Sequence, residues 1–381
     1  MAILRRQSAN PGSKRNVQHA VRTVLIATVF VVFIYSSGWA DSLQTPYAIS
    51  LSEDQATQGV GSAARSAVSP SLIDYEVDEA CKSLPFIRPM GTYFLDSKLG
   101  HASSPEGVDP AFKVGSNFGK KTTLHMGTDM PHFQLVKELL ADKKGGLALD
   151  MGANQGFFTW YLASLGMEVH SFEIFEKNVK ALQHGAEFNP KDVAERVNVY
   201  PVGLGQMVGR MGMGGSNYGG HLTKVNTGPI LASSYDCFAY HNLKHIGDNV
   251  ISNVSFVKLD VEGFEIAVLL GAKRSLFGPH GKVGGMLMEV GPSRWDRAGV
   301  TFEKGVTEMK ELSEHFQKSY LIVRTEIHSD SCPKIVAAEL ADQNPRALNH
   351  VFIHRVKIDE WQPLLQKLKD MNGDCNFWYT N

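Results

Sequence analysis

The chain has 381 residues, 43% of them hydrophobic, with 38 basic and 39 acidic side chains and a formal net charge of −1. That length and apolar content allow one large domain with appendages or two small ones, and the charge balance excludes bulk nucleic-acid binding, which needs a basic face. The four cysteines, Cys81, Cys237, Cys332 and Cys375, have no CxxC spacing, which argues against a structural zinc site. One or two disulfides stay open if the chain folds in an oxidising compartment.

In chain order, residues 1–22 form a basic tail containing Arg5, Arg6, Lys14, Arg15 and Arg22. Residues 23–40 are apolar, and Asp41, Glu53 and Asp54 follow them. Positive charge stays cytoplasmic, so the bulk of the chain is expected to cross the membrane. The stretch reads either as a type II signal anchor or as a cleaved signal peptide, with small residues at Gly38 and Ala40. The long basic end favours the anchor and a place in the endomembrane system, the Golgi by preference. Cleavage would give a secreted protein. Residues 41–80 are rich in Ser, Ala, Gln and Gly and read as a flexible stem, too poor in apolar groups to offset the entropy of ordering. Residues 81–144 read as a lid or cap, ending in a helix over 132–140 that Pro131 begins and Gly145-Gly146 ends.

Residues 145–358 read as the main domain. Strands are expected at 147–150, 168–172, 197–200, 254–259 and 285–290, with helices at 157–165, 178–184, 264–270 and 306–318 between or after them. Residues 320–323 and 350–353 are expected to pair antiparallel at the sheet edge, and residues 359–381 to form a last helix over 361–371 and a tail. The glycine-rich run 203–220 reads either as a mobile loop beside a ligand or as a plain surface loop. About seven strands alternating with helices define an α/β, doubly wound, Rossmann-like sheet.

The most informative stretch is Asp150-Met151-Gly152-Ala153-Asn154-Gln155-Gly156-Phe157-Phe158-Thr159. An apolar strand ends in an acid, a glycine turn follows, and a helix begins, which is where such a sheet opens a crevice for a nucleoside-like ligand. The spacing Asp-x-Gly-x-x-x-Gly departs from the Gly-x-Gly-x-x-Gly of dinucleotide binders. A diphosphate prefers bare amides at a helix start, whereas an acid before the turn suits the ammonium and sulfonium of S-adenosylmethionine. Glu173 ends the second strand, where an acid accepts ribose hydroxyls. The bland reading of Asp150 and Glu173 is that each caps the helix after it.

Together with Phe172-Glu173 and Val257-Lys258-Leu259-Asp260-Val261-Glu262-Gly263-Phe264-Glu265, that stretch resembles the FkbM-type family of S-adenosylmethionine-dependent methyltransferases over residues 145–292. The resemblance implies a Rossmann-like methyltransferase fold and methylation of a hydroxyl oxygen, with Asp150, Gly152, Asn154, Gly156, Thr159 and Glu173 about the cofactor. Where the family has a proline after the second acid, this chain has Ile174. Asp236, in Ser233-Ser234-Tyr235-Asp236-Cys237, resembles the family's acidic stretch before strand four and is a further candidate for the adenine amine.

Methyl transfer from a sulfonium is an in-line displacement, so positioning supplies much of the acceleration, and an alcohol needs a base or a metal to lose its proton. Asp260, at the end of strand four, is the leading candidate for base or acceptor orientation, and Glu262 its helper, with Glu289 as a third acid. Both also fit plain helix-start roles, as does Glu265. Whether Asp260, Glu262 and Glu289 hold a divalent cation stays open. His125 and His132 are candidates for the acceptor side, while His241 and His245, though spaced i,i+4, lack a paired acid motif for a metal. The expected partners are S-adenosylmethionine and a glycan, lipid or small-metabolite acceptor, with no nucleic acid. Two other classes remain: a nucleotide-sugar enzyme, for which no convincing Asp-x-Asp loop is found, and a non-catalytic module that has kept the fold.

Overall fold

The computed structural model describes residues 79–82, 84–90, 100–116, 130–216, 219–223, 228–243, 253–279, 281–324 and 351–381. The apolar segment 23–40 lies outside them, as do most of the stem, His125 and His245. Among the described residues no helix is long and apolar enough to cross a membrane.

The strands in chain order are β1 (Gly100–Ser103), β2 (Lys113–Ser116), β3 (Leu147–Met151), β4 (Glu168–Phe172), β5 (Val197–Tyr200), β6 (Gly203–Leu204), β7 (Gly209–Ser216), β8 (Gly219–Thr223), β9 (Ile230–Ser233), β10 (Asn253–Leu259), β11 (Lys282–Val283), β12 (Gly285–Val290), β13 (Lys318–Arg324), β14 (Val351–Arg355) and β15 (Cys375–Thr380). The main sheet runs β14-β13-β15-β12-β10-β3-β4-β5, with β11 beside β10. From β12 to β5 the neighbours are parallel, while β15, β13 and β14 pair antiparallel at the far edge. The chain leaves β3 toward β4 and returns on its other side as β10. The strand order therefore reverses between β3 and β10, and a crevice opens at their carboxyl ends.

Period-two alternation assigns the faces. Leu147, Leu149, Met151, Val257, Leu259, Met286 and Met288 face one core. Ala148, Val169, Val199, Phe256 and Leu287 face the other, against Phe158, Trp160, Tyr161 and Leu162 of the helix Phe157–Ser164. The helices Glu265–Gly271, Phe302–His315 and Trp361–Asp370 bring Ile266, Val268, Met309, Leu312, Trp361 and Leu365 to the first core. Burial on both faces is why these parallel strands read as nearly unbroken apolar runs.

The structure departs from expectation in three places. Residues 375–380, expected as tail, form β15 and insert between β12 and β13. The glycine-rich run, expected as a loop, forms β6, β7 and β8, with β7 and β8 an antiparallel pair and β9 beside β7. Glycine's weak strand propensity hid it. Residues 84–119 were expected to pack over the crevice as a lid, and the described ones among them are absent from its lining. The short helix Glu79–Lys82 is tied by a Cys81–Cys237 disulfide to the helix Tyr235–Phe238, and Asn242 exchanges hydrogen bonds with the backbone of Ile87. Cys375 is disulfide-bonded as well.

Candidate active site

Three turns at strand ends build the crevice. After β3, Gly152 stands at φ 87° and Asn154 at φ 51°, both left-handed. A Cβ on Gly152 would lie 1.7 Å from the carbonyl oxygen of Asp260, so the turns after β3 and β10 touch backbone to backbone and only glycine fits between them. After β10, Glu262 (φ 56°) and Gly263 (φ 102°) are also left-handed. A non-glycine residue held there costs of order 1–3 kcal/mol and is found disproportionately at functional sites. After β4, Glu173 completes the ring.

The cavity is open to solvent. Gly152, Asn154, Glu173, Ile174, Gly203, His221, Asp260 and Glu262 are among its lining residues, and none of the described lining residues is Lys or Arg. Five of the residues singled out from sequence, Gly152, Asn154, Glu173, Asp260 and Glu262, thus meet in one cavity.

The others act at a distance from it. Asp150 is 1% exposed and absent from the lining, and its Oδ2 accepts the Thr159 hydroxyl at 2.5 Å. Thr159 in turn lies 2.8 Å from the Ser171 hydroxyl. Through that bond Asp150 ties the first turn of the helix to β3. Gly156, the N-cap of that helix at φ 91°, lies against Leu182 and Trp160. Asp236 is absent from the cavity lining, and its carboxylate accepts the amides of Arg274 and Ser275 at 3.2 and 2.8 Å, which fixes that turn. His132 is 1% exposed and does not line the cavity, and His241 bonds the Cys81 carbonyl.

Glu173 is 7% exposed and accepts three amides, from Asn154 at 2.7 Å, Ile174 at 2.9 Å and Phe175 at 2.7 Å. A carboxylate has about four acceptor positions, which leaves one for a ligand. Burial pushes this carboxyl up to about 7 against those amides, and burial likewise takes Asp150 to about 6 and Glu265 to about 7.

Lys258 carries a charge into the sheet, with its side chain 6% exposed and its Nζ 2.9 Å from Asp260 Oδ2. Burial works against both charges, but Lys258 holds Asp260 below the usual carboxylate range, with help from Glu289 and Arg294. Burial, then the charges of Asp260 and Asp374, hold Glu289 well above its usual value, while its neighbour Asp260 is held low. Arg294, in the 3₁₀ segment Pro292–Ala298, donates to Glu262 at 2.7 Å, to Glu289 at 3.2 Å and to Asp374 at 2.9 Å. One oxygen each of Asp260, Glu262 and Glu289 lie within 4.8 Å of one another, a spacing that hard cations accept. Lys258 and Arg294 already bring positive charge to all three acids.

Lys258, Arg294, Asp374 and His221 were not singled out from sequence. Lys258 had a signal: it interrupts an apolar run and stands two residues before Asp260, on the same face of the strand. Arg294 and Asp374 lie 32 and 112 residues beyond Glu262, and nothing local announces them.

The family model of the methyltransferase FkbM domain matches residues 150–316. The chain carries an FkbM methyltransferase domain. The match begins at Asp150 and spans β4 to β12, including the three crevice turns, so the FkbM domain contains the whole lined cavity. Strands β13–β15 and Asp374 lie beyond it. No curated protein matches the chain in sequence. Solved structures similar to it include a precorrin-6Y C5,15-methyltransferase from Geobacter metallireducens, 10% identical with a TM-score of 0.30, covering 65% of this chain and 86% of that one. An O-methyltransferase from Bacillus cereus in complex with SAH is 14% identical with a TM-score of 0.30, covering 51% of this chain and 74% of that one. Scores this low assign no fold, and the architecture of the FkbM domain rests on its own strand order.

Proposed function

We propose that this chain transfers a methyl group from S-adenosylmethionine to a hydroxyl oxygen of a glycan, lipid or small metabolite. One observation carries the reading: within the FkbM domain, a cavity at the strand-order reversal is lined by Glu173, Asp260 and Glu262 and, among the described residues, by no Lys or Arg. Such a lining suits a donor bearing an ammonium and a sulfonium. It does not suit a diphosphate, which weakens the nucleotide-sugar alternative. The remaining acceptor position of Glu173 takes a ribose hydroxyl, and Gly152 and Asn154 present the turn to the cofactor. Asp260 and Glu262 face the sulfonium and the acceptor.

A place in the secretory lumen, tethered by residues 23–40, fits the Cys81–Cys237 disulfide and the disulfide-bonded state of Cys375, since such bonds persist in oxidising compartments. A glycan is then the favoured acceptor class. Titration calorimetry with S-adenosylmethionine tests the donor, and an absence of both binding heat and thermal protection would overturn the assignment. Asp260→Asn is expected to abolish transfer while sparing donor binding.

A further inference from the structure

Resting on that donor reading, we infer that His221 is the general base, the group that receives the acceptor hydroxyl's proton as the methyl moves. His221 lies on β8, outside the motifs that define the cofactor turns, yet it lines the same cavity as Asp260 and Glu262. Its partner across the hairpin is Gly214. A Cβ at Gly214 would come within 2.6 Å of the imidazole Nε2, so the glycine opposite clears the space that the ring occupies.

The acids are poorly suited to the proton. Asp260 is paired with Lys258 and held below its ordinary range, and Glu289 and Glu262 are both bonded to Arg294. Neither ring nitrogen of His221 forms a hydrogen bond among the described residues. The charged groups around it are Arg294 and Arg297 on the 3₁₀ segment, with Asp260 and Glu262 as the acids of the shared lining. Burial, then Arg297, then Arg294 depress its basicity below the usual imidazole value, which keeps it neutral and able to accept a proton at pH 7.

In the step, the acceptor oxygen forms a bond to the methyl carbon while the carbon–sulfur bond breaks. The electron pair stays on sulfur, giving the neutral thioether. The hydroxyl proton passes to the imidazole, which later returns it to water. Asp260 is then a positioning residue for the acceptor.

The test uses the full chain, tritium-labelled S-adenosylmethionine and an oligosaccharide pool released from glycoproteins. His221→Ala is expected to lose about 10²–10⁴-fold in label transfer, to bind the donor within about twofold of the wild type, and to regain transfer when imidazole is added. A variant that keeps more than about a tenth of the transfer, or that imidazole does not rescue, overturns the base assignment. Loss of donor binding in the variant alone overturns it too, by making the role structural. A wild type that fails to bind the donor overturns instead the reading on which the inference rests.

Discussion

Replacing Lys258 by Met removes the ammonium from the sheet and leaves Asp260 without its neutralising partner. At 2.9 Å and an effective dielectric constant of about 20, the attraction between the two charges is about 6 kcal/mol. Part of it offsets the desolvation of Lys258, whose side chain is 6% exposed, a cost the Met variant does not bear. Asp260 is 34% exposed and regains some hydration, so the loss falls near the lower end of the 3–5 kcal/mol typical of a broken buried pair. About 3 kcal/mol is expected from urea unfolding at pH 7. The pH window follows from the directions of the shifts. A carboxyl held low contributes stability above its unfolded value and loses it as pH falls through the folded one. A lysine held high contributes below its unfolded value and loses it as pH rises through the folded one. The deficit of the variant is therefore full between about pH 4 and pH 10 and shrinks outside that range. A loss under about 1 kcal/mol at pH 7, the size of an exposed surface pair, would refute the argument that Lys258 anchors the acids of the crevice.

Donor affinity should depend on Glu173. The ribose needs the carboxylate, and burial holds this carboxyl near 7, so affinity falls as pH drops: about tenfold between pH 8 and pH 6 by calorimetry, and not at all in Glu173→Gln. Equal slopes for the two proteins would remove Glu173 from ribose recognition. Gly152→Ala forces a methyl against the Asp260 carbonyl at φ 87° and should abolish donor binding, read as loss of thermal protection, because the turns after β3 and β10 must separate.

The sequence carried the turns well, because each is a local event. An apolar run ending in an acid, with glycine where φ is positive, is written within a dozen consecutive residues, and β3, β4, β10 and the acids at or just past their ends stand where the reading put them. Asp150 and Asp236 were legible as acids at special places but their hydrogen-bond partners were not, since a carboxylate that fixes a turn and one that meets a ligand have the same local pattern. β15 escaped because Cys375–Thr380 alternates no more clearly than a tail does, and only insertion beside β12 makes it a strand.

The residues by themselves determined the doubly wound class, the site of the crevice and the acids at strand ends, because backbone periodicity and glycine's freedom act over a few neighbours. The tertiary structure alone decided how those acids are charged. Lys258 reaches Asp260 by sharing a strand face, whereas Arg294, Asp374 and His221 arrive from other elements. Proton affinity depends on burial and on charges a few ångströms away in space, and those distances exist only once the sheet has brought distant segments together.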